Sequence, residues 1–353
     1  MKPPARILIV VPRRIGDVLL STPLARSLKR AWPQVVIDYL VFSGTEGILQ
    51  GNPDVDVIHT MPERAPLASR LGLMARLWRR YDWAVSPIPS DRARWACWAA
   101  ARNRAGMVRE GTPDMRQAAL LQVALPFDDL HAHTVSNALR LAQALGVEAC
   151  PQVVPPAPQA CPLPGSPFVV LHTYPKFRYK MWPRQMWSAL AAALSSAGFE
   201  VALTGSPDPA EREYVAGIAA DAACPVHDFS GQLSFAQTVH LLRHARAFVG
   251  PDTALTHLAA ACGTPTVALF GPSNPVKWGP WPQAHTGPQS PWAMQGSARV
   301  GNVFLVQGEA DCVPCRLEGC ERHLDSESRC LTSLPVARVW AALAALGLTP
   351  RRE

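Results

Sequence analysis

The chain has 353 residues, 48% of them apolar and 17% charged, with a formal net charge of +7. That length exceeds what one core usually serves, so two domains are expected. No apolar run approaches the roughly 20 residues of a membrane span, and the run 7–11 is too short for a signal-peptide core, so the expected location is the cytoplasm.

In chain order, residues 7–11 read as strand, 18–32 as helix, 35–41 as strand and 55–58 as a short strand. A helix over 67–80, a strand over 83–86, helices over 92–101 and 115–125, and a helix over 134–145 ended by Gly146 follow. Strands alternating with helices of this length indicate βαβ units on a parallel sheet. Pro151, Pro155, Pro156, Pro158, Pro162, Pro164 and Pro167 then interrupt the pattern. Such proline density continues neither a helix nor a central strand, so 151–167 is the expected linker after a first domain over 1–150.

The alternation restarts in a second domain expected over 168–334. Strands are expected over 168–172, 200–204, 226–229, 247–249, 266–270 and 303–306. Helices are expected over 183–197, 209–221, 234–244 and 254–262, and Gly-Pro-rich loops fill 271–298. A final Ala/Leu helix over 335–346 begins a C-terminal segment running to 353.

The positive charge is concentrated. Eleven arginines lie between Arg64 and Arg116, against Asp82, Asp91, Glu110 and Asp114. Arginine forks suit phosphate and carboxylate. The stretch reads either as a face for an anionic partner or as solvated helix surface. No zinc-finger array, RNA-binding aromatic motif or helix-turn-helix accompanies it, so nucleic acid is not the expected partner.

Two turns carry candidate chemistry. In Gly250-Pro251-Asp252-Thr253 a strand runs into a small-residue helix, with Asp252 or Thr253 at its N-cap. Free N–H groups and the helix dipole favour an anion there, at the strand end where ligands of α/β sheets collect. The alternatives are a phosphate corner and an ordinary capped helix. In Arg13-Arg14-Ile15-Gly16-Asp17, Gly16 permits a turn that other residues resist, and Asp17 reads as either a general base or an N-cap. The Gly-x-Gly-x-x-Gly and Walker patterns are absent from this turn.

Of nine cysteines, Cys97, Cys150, Cys161, Cys224 and Cys262 read as small core residues. Cys312, Cys315, Cys320 and Cys330 cluster near His323. A structural zinc site, a disulfide or free thiols are the alternatives, and a cytoplasmic location argues against disulfides.

Taken in order, these motifs resemble glycosyltransferase family 9, the bacterial heptosyltransferases of lipopolysaccharide core synthesis. Arg13 to Val18 resembles the family's Gly-Asp turn. Lys180-Met181-Trp182-Pro183 with Trp187 resembles its Lys-x-Trp-Pro segment. Asp252-Thr253-Ala254-Leu255-Thr256-His257 resembles its Asp-Thr-Gly-x-x-His signature, and 266–275 resembles the strand and Gly-Pro loop that follow. The resemblance spans residues 7 to 275.

It implies a GT-B architecture, two Rossmann-like α/β domains facing across a cleft, and inverting transfer from a nucleotide-activated sugar, commonly ADP-L-glycero-D-manno-heptose. The resemblance also implies that catalysis requires no cofactor. Asp17 would be the catalytic base and Lys180 a phosphate-binding catalytic residue. Thr173, Lys180, Glu211, Asp252, Thr253, Ala254 and His257 would bind the donor. Arg13, Arg14, Gly16 and Arg64 would meet an anionic lipid-linked glycan acceptor at the inner face of the inner membrane. Two positions depart from the pattern: Ala254 replaces Gly, and Ala138 stands where the family often has a polar residue. His172 is a candidate phosphate neighbour, and Trp278 and Trp281 either wall the donor pocket or pack their loop. Other readings are a different nucleotide-activated sugar or glycan acceptor, and a binding protein that has lost catalysis.

Overall fold

Strand β1 (Arg6–Val11) is buried from Ile7 through Val11, the pattern of a central parallel strand covered on both faces. The computed structural model describes residues 3–64, 66–109 and 120–350. It divides into a first unit, Met1–Ala157 with Thr286–Ser290, and a second, Pro158–His285 with Pro291–Glu353.

The first unit holds a six-stranded sheet of β1, β2 (Val36–Phe42), β3 (Val57–Met61), β4 (Tyr81–Ser86), β5 (Ala101–Arg109) and β6 (Val123–Phe127). Their order is β3-β2-β1-β4-β5-β6, and every neighbouring pair is parallel. The order reverses between β1 and β4, which makes that gap the switch point of a doubly wound sheet.

The sequence-based reading differs here at several elements. The helix expected over 18–32 is two, α1 (Ile15–Leu20) and α2 (Thr22–Ala31). Ser21 Oγ donates back to Val18 O and Thr22 Oγ1 to Leu19 O, each at 2.7 Å. These side chains compete with the helical ladder, and Pro23 has no N–H to continue it. Helix α3 (Leu67–Leu77) stops short of residue 80, because Arg79 turns the chain at φ 53°. In the helix expected over 115–125, residues 115–119 lie outside the described residues, and 123–125 belong to β6. Strand β5 was not expected: Arg102, Asn103 and Arg104 break its apolar pattern.

In the second unit, β7 (Phe168–His172), β8 (Glu200–Thr204), β9 (Val226–Asp228), β10 (Ala247–Pro251), β11 (Thr266–Phe270), β12 (Ala298–Val300) and β13 (Val303–Gln307) form one sheet. Its order is β12-β13-β11-β10-β7-β8-β9. Without β12, which pairs antiparallel to β13, this repeats the winding of the first sheet, with the switch point between β7 and β10. Trp182, Trp187, Leu190 and Leu194 bury against strand residues such as Val169, Leu171 and Val249. The C-terminal helix Val336–Ala345 adds Val339, Ala342 and Leu343 to the same core. Among the described residues no helix is long and apolar enough to cross a membrane.

Candidate functional site

The chemistry-bearing residues of the second unit follow the carboxyl ends of its two switch-point strands. After β7 come Thr173 and a single 3-10 turn, Arg178–Lys180. Trp182 anchors this loop: it is fully buried, packs edge-on to Trp187 with ring centroids 4.8 Å apart, and donates Nε1–H to Leu334 O at 2.8 Å. After β10 comes Asp252, then the helix Ala254–Ala261 with Thr253 as its N-cap residue. Thr253 makes no side-chain capping bond; its hydroxyl faces that of Thr256 at 3.2 Å. Thr256 Oγ1 also donates to Pro251 O at 2.5 Å. A Cβ at Gly250 would stand 2.8 Å from the Phe248 ring and 2.9 Å from Thr256 Oγ1, so only glycine lets strand and helix approach this closely.

Lys180 Nζ donates to Asp252 Oδ2 at 2.5 Å. His257 Nε2 lies 3.9 Å from Asp252 Oδ1. Burial alone would raise the Asp252 carboxyl, but the charge of Lys180 and hydrogen bonds from Lys180 and Ser273 hold it below its ordinary value. Burial drives His257 down to about 4, outweighing the opposing pull of Asp252. His257 is therefore neutral at pH 7, and the cation facing Asp252 is Lys180. The buried Thr173 Oγ1 and His257 Nδ1 have no hydrogen-bond partner among the described residues, an arrangement that suits a ligand.

Glu211 is buried and accepts a short hydrogen bond from Ser206 Oγ. Asp208 caps its helix, Pro209–Asp221, by accepting from Ala210 N and Glu211 N. His172 is buried against Thr204 O at 3.2 Å, and burial lowers its pKa against the opposing charge of Glu211. Ala254 opens the helix after Thr253, while Ala138 lies buried in the helix Thr134–Ala144. Trp281 is buried edge-on to His285, and Lys277 sits over the Trp278 ring.

In the first unit the turn after β1 carries the other candidates. Helix α1 starts at Ile15, with Arg14 as its N-cap residue and Asp17 in its first turn. Asp17 is thus the third helical residue and not the cap. Gly16 lies inside the helix, so it does not form the special turn expected of it. Arg13 and Arg14 are exposed and Asp17 is half-buried. Exposed Arg64 follows the carboxyl end of β3 and shares that edge of the sheet.

For the four clustered cysteines the alternatives are a zinc site, a disulfide and free thiols. Among the described residues no three His, Cys, Asp or Glu side chains are arranged to hold a metal ion. All nine cysteines are free: Cys312 and Cys320 are exposed, Cys315 is half-buried and Cys330 is buried. Burial, and then the neighbouring Cys315, Cys320 and Cys312, push the Cys330 thiol up to about 11. His323 pairs instead with Glu321 at 2.9 Å.

Sequence reasoning missed Ser206, Ser273 and a buried network at the other edge of the first sheet. There Asp38 Oδ2 accepts from Arg6 at 2.9 Å and Tyr81 at 2.7 Å, and His59 bonds Tyr81 at 3.0 Å. The available signal was a lone acid inside the apolar run Val36–Phe42.

Two doubly wound units, the second with a Lys–Asp pair and a helix N-terminus at its switch point, give the chain a GT-B fold. The family model for glycosyltransferase family 9 (heptosyltransferase) matches residues 103–296, more than half of the chain, and the chain belongs to that family. It is 28% identical over 289 residues to lipopolysaccharide heptosyltransferase 3 of Escherichia coli, covering 75% of this chain and 83% of the relative. It is 27% identical over 380 residues to lipopolysaccharide heptosyltransferase 1 of Pseudomonas aeruginosa, covering 98% and 99%. Its fold matches that of the E. coli ADP-heptose LPS heptosyltransferase II with a TM-score of 0.73 at 22% identity, over 97% and 98% of the two chains.

Proposed function

We propose that this enzyme moves a heptose, with inversion, from ADP-L-glycero-D-manno-heptose to the Kdo/heptose inner core of lipopolysaccharide, working peripherally at the cytoplasmic face of the inner membrane. The observation that carries the reading is the Lys180–Asp252 pair at the switch point of the second sheet, in a chain whose relatives are lipopolysaccharide heptosyltransferases.

On this reading Lys180, Thr253 and the N-terminus of the helix Ala254–Ala261 receive the donor diphosphate. Asp252 fixes the Lys180 ammonium. Thr173 and His257 offer the diphosphate side their unpartnered polar atoms, and Glu211, oriented by Ser206, accepts from the ribose hydroxyls. Asp17 takes the proton from the acceptor hydroxyl as its oxygen bonds to the anomeric carbon. The bond from that carbon to the diphosphate oxygen breaks, and ADP leaves with the electron pair. The charge that develops on the leaving oxygen falls to Lys180 and the helix N–H groups. Arg13, Arg14 and Arg64 hold acidic groups of the acceptor beside Asp17. The step needs no cofactor, because Asp17 takes the proton and Lys180 meets the leaving charge.

The test is transfer from ADP-heptose onto Kdo-lipid A and onto its monoheptosylated form. Asp17→Asn should lower kcat by about 10²–10⁴-fold, the worth of a positioned base, and leave the donor KM near its original value. A fully active Asp17→Asn removes Asp17 from the mechanism, and no transfer to either acceptor overturns the reading.

A further inference from the structure

Part of the arginine-rich stretch, Arg76, Arg79, Arg80, Arg102 and Arg104, lies at the amino edge of the first sheet, away from Asp17, whereas Arg64, Arg92 and Arg109 lie toward the carboxyl edge. Helix α3 runs through Trp78-Arg79-Arg80 into the start of β4, and α4 (Asp91–Ala100) runs directly into the start of β5. These junctions stand at the amino edge of the strands, whereas Asp17 follows a carboxyl end. At about 3.3 Å per residue, a six-residue strand separates the two edges by about 20 Å.

These junctions and the exposed sides of α3 and α4 that lead into them combine two features that soluble surfaces usually keep apart. Trp78 and Trp95 are 50% and 51% exposed, and Leu71 is 57% exposed. Trp98 joins the two indoles, edge-on to Trp78 at 5.4 Å and to Trp95 at 5.9 Å. The Arg79 guanidinium lies over both Trp78 and Trp98 while donating to Ala101 O at 2.7 Å. Alongside is a cavity of about 410 Å³ lined in part by His59, Arg76, Arg80 and Tyr81, with half-exposed Val57 among its walls.

Among the described residues the nearby acids are occupied: Asp38 by Arg6 and Tyr81, Asp82 by the backbone N–H groups of Ala5 and Arg6, and Asp91 by Arg94. Arg104 Nε is buried without a partner, and burial followed by the charge of Arg79 lowers the Arg104 pKa. Exposed indoles and aliphatic groups among the exposed guanidinium groups of Arg76 and Arg80 suit the boundary between lipid headgroups and acyl chains. An ordinary protein partner needs no such excess of one charge.

We propose that this amino-edge face docks the first unit onto an anionic phospholipid bilayer, with Trp78 and Trp95 entering the headgroup boundary and Arg76 and Arg80 meeting lipid phosphates. The proposal deepens the reading of a lipid-linked acceptor and rests on it, but its test uses neither sugar nor acceptor.

The full chain is sedimented with vesicles of phosphatidylcholine alone and of phosphatidylcholine mixed with phosphatidylglycerol. Binding is expected only to the anionic vesicles, and it should weaken as salt rises. Arg76→Glu with Arg80→Glu, both at exposed positions, should reduce partitioning by about tenfold or more. Trp78→Ser with Trp95→Ser should reduce it as well. Should that second pair fail to fold, quenching of the unaltered protein's tryptophan fluorescence by brominated lipid reads the same contact, and unchanged fluorescence overturns the proposal. Equal binding to neutral vesicles, no binding, or wild-type partitioning by the arginine variant also overturns it. So does a dimer of the unaltered chain that the tryptophan variant dissolves, which assigns the face to a second copy. Transfer by the unaltered enzyme onto a deacylated, water-soluble acceptor is measured separately. Its failure counts against the heptosyltransfer reading and leaves the vesicle result standing.

Discussion

Lys180 and Asp252, 72 residues apart in the chain, meet at 2.5 Å because β7 and β10 are neighbours across the point where the second sheet reverses its winding. Each side chain follows the carboxyl end of its strand, one from a loop anchored by Trp182 and the other from the start of a helix. The pair places an ammonium near an open helix N-terminus while keeping a buried carboxylate ionised.

Breaking that pair from one side should cost more than removing it whole. Lys180→Met leaves Asp252 buried without its cation, a loss of about 3–5 kcal/mol. Lys180→Met with Asp252→Asn should recover much of that stability but none of the donor affinity. Urea melts and calorimetric titration with ADP separate the two effects. Additive stability losses would show that the residues are not coupled.

Acid should destabilise the second unit before its carboxylates protonate. His257 is held at about 4 by burial when folded, against an ordinary value near 6.5. Between these values the unfolded chain binds a proton that the folded chain refuses, so stability falls as pH drops through this window. The full effect is bounded at about 3 kcal/mol. Asp252, lowered by Lys180, adds a loss in the same direction below its own unfolded value. A plot of the urea midpoint from pH 7 to pH 4 should slope downward toward acid, and His257→Gln should flatten it.

Gly250→Ala tests the close approach of β10 to its helix. The added methyl meets the Phe248 ring and Thr256 Oγ1 inside normal contact, so a cost of about 1–3 kcal/mol is expected. Helix displacement should also weaken ADP binding. A variant with unchanged Tm and ADP affinity would mean that this junction yields easily.

The clustered thiols should divide by exposure. Under native conditions a disulfide reagent should modify Cys312 and Cys320 quickly, and Cys330 only after unfolding, because burial keeps Cys330 a protonated thiol. Stoichiometric zinc in the purified protein, with all four thiols protected until a chelator is added, would contradict the arrangement described here.

The alternation of strands and helices was readable because most strands are continuous buried apolar runs, as in Phe168–His172 and Thr266–Phe270. Strand β5 was not, since Arg102, Asn103 and Arg104 disguise it. The break at Ser21 depends on side chains bonding back to the preceding turn, which hydrophobic spacing does not report. At the candidate site, the Asp252-Thr253 corner and Lys180 each stood out locally. Their partnership, the support of Glu211 by Ser206 and the neutrality of His257 depend on contacts and burial that only the folded chain supplies. The arginines of 64–116 were legible as a cluster, but the strand direction divides the described ones between two edges of the sheet.

The short strand β12 has a consequence for association. It pairs antiparallel with β13 from Ala298 to Val300, and its Arg299 guanidinium donates to Ala345 O at 2.5 Å. At the opposite margin β9 is only three residues long. Neither margin of this sheet offers a long unpaired row of backbone groups. The second unit is thus poorly suited to recruiting a foreign strand or seeding fibrils, and its encounters with other macromolecules fall to side chains.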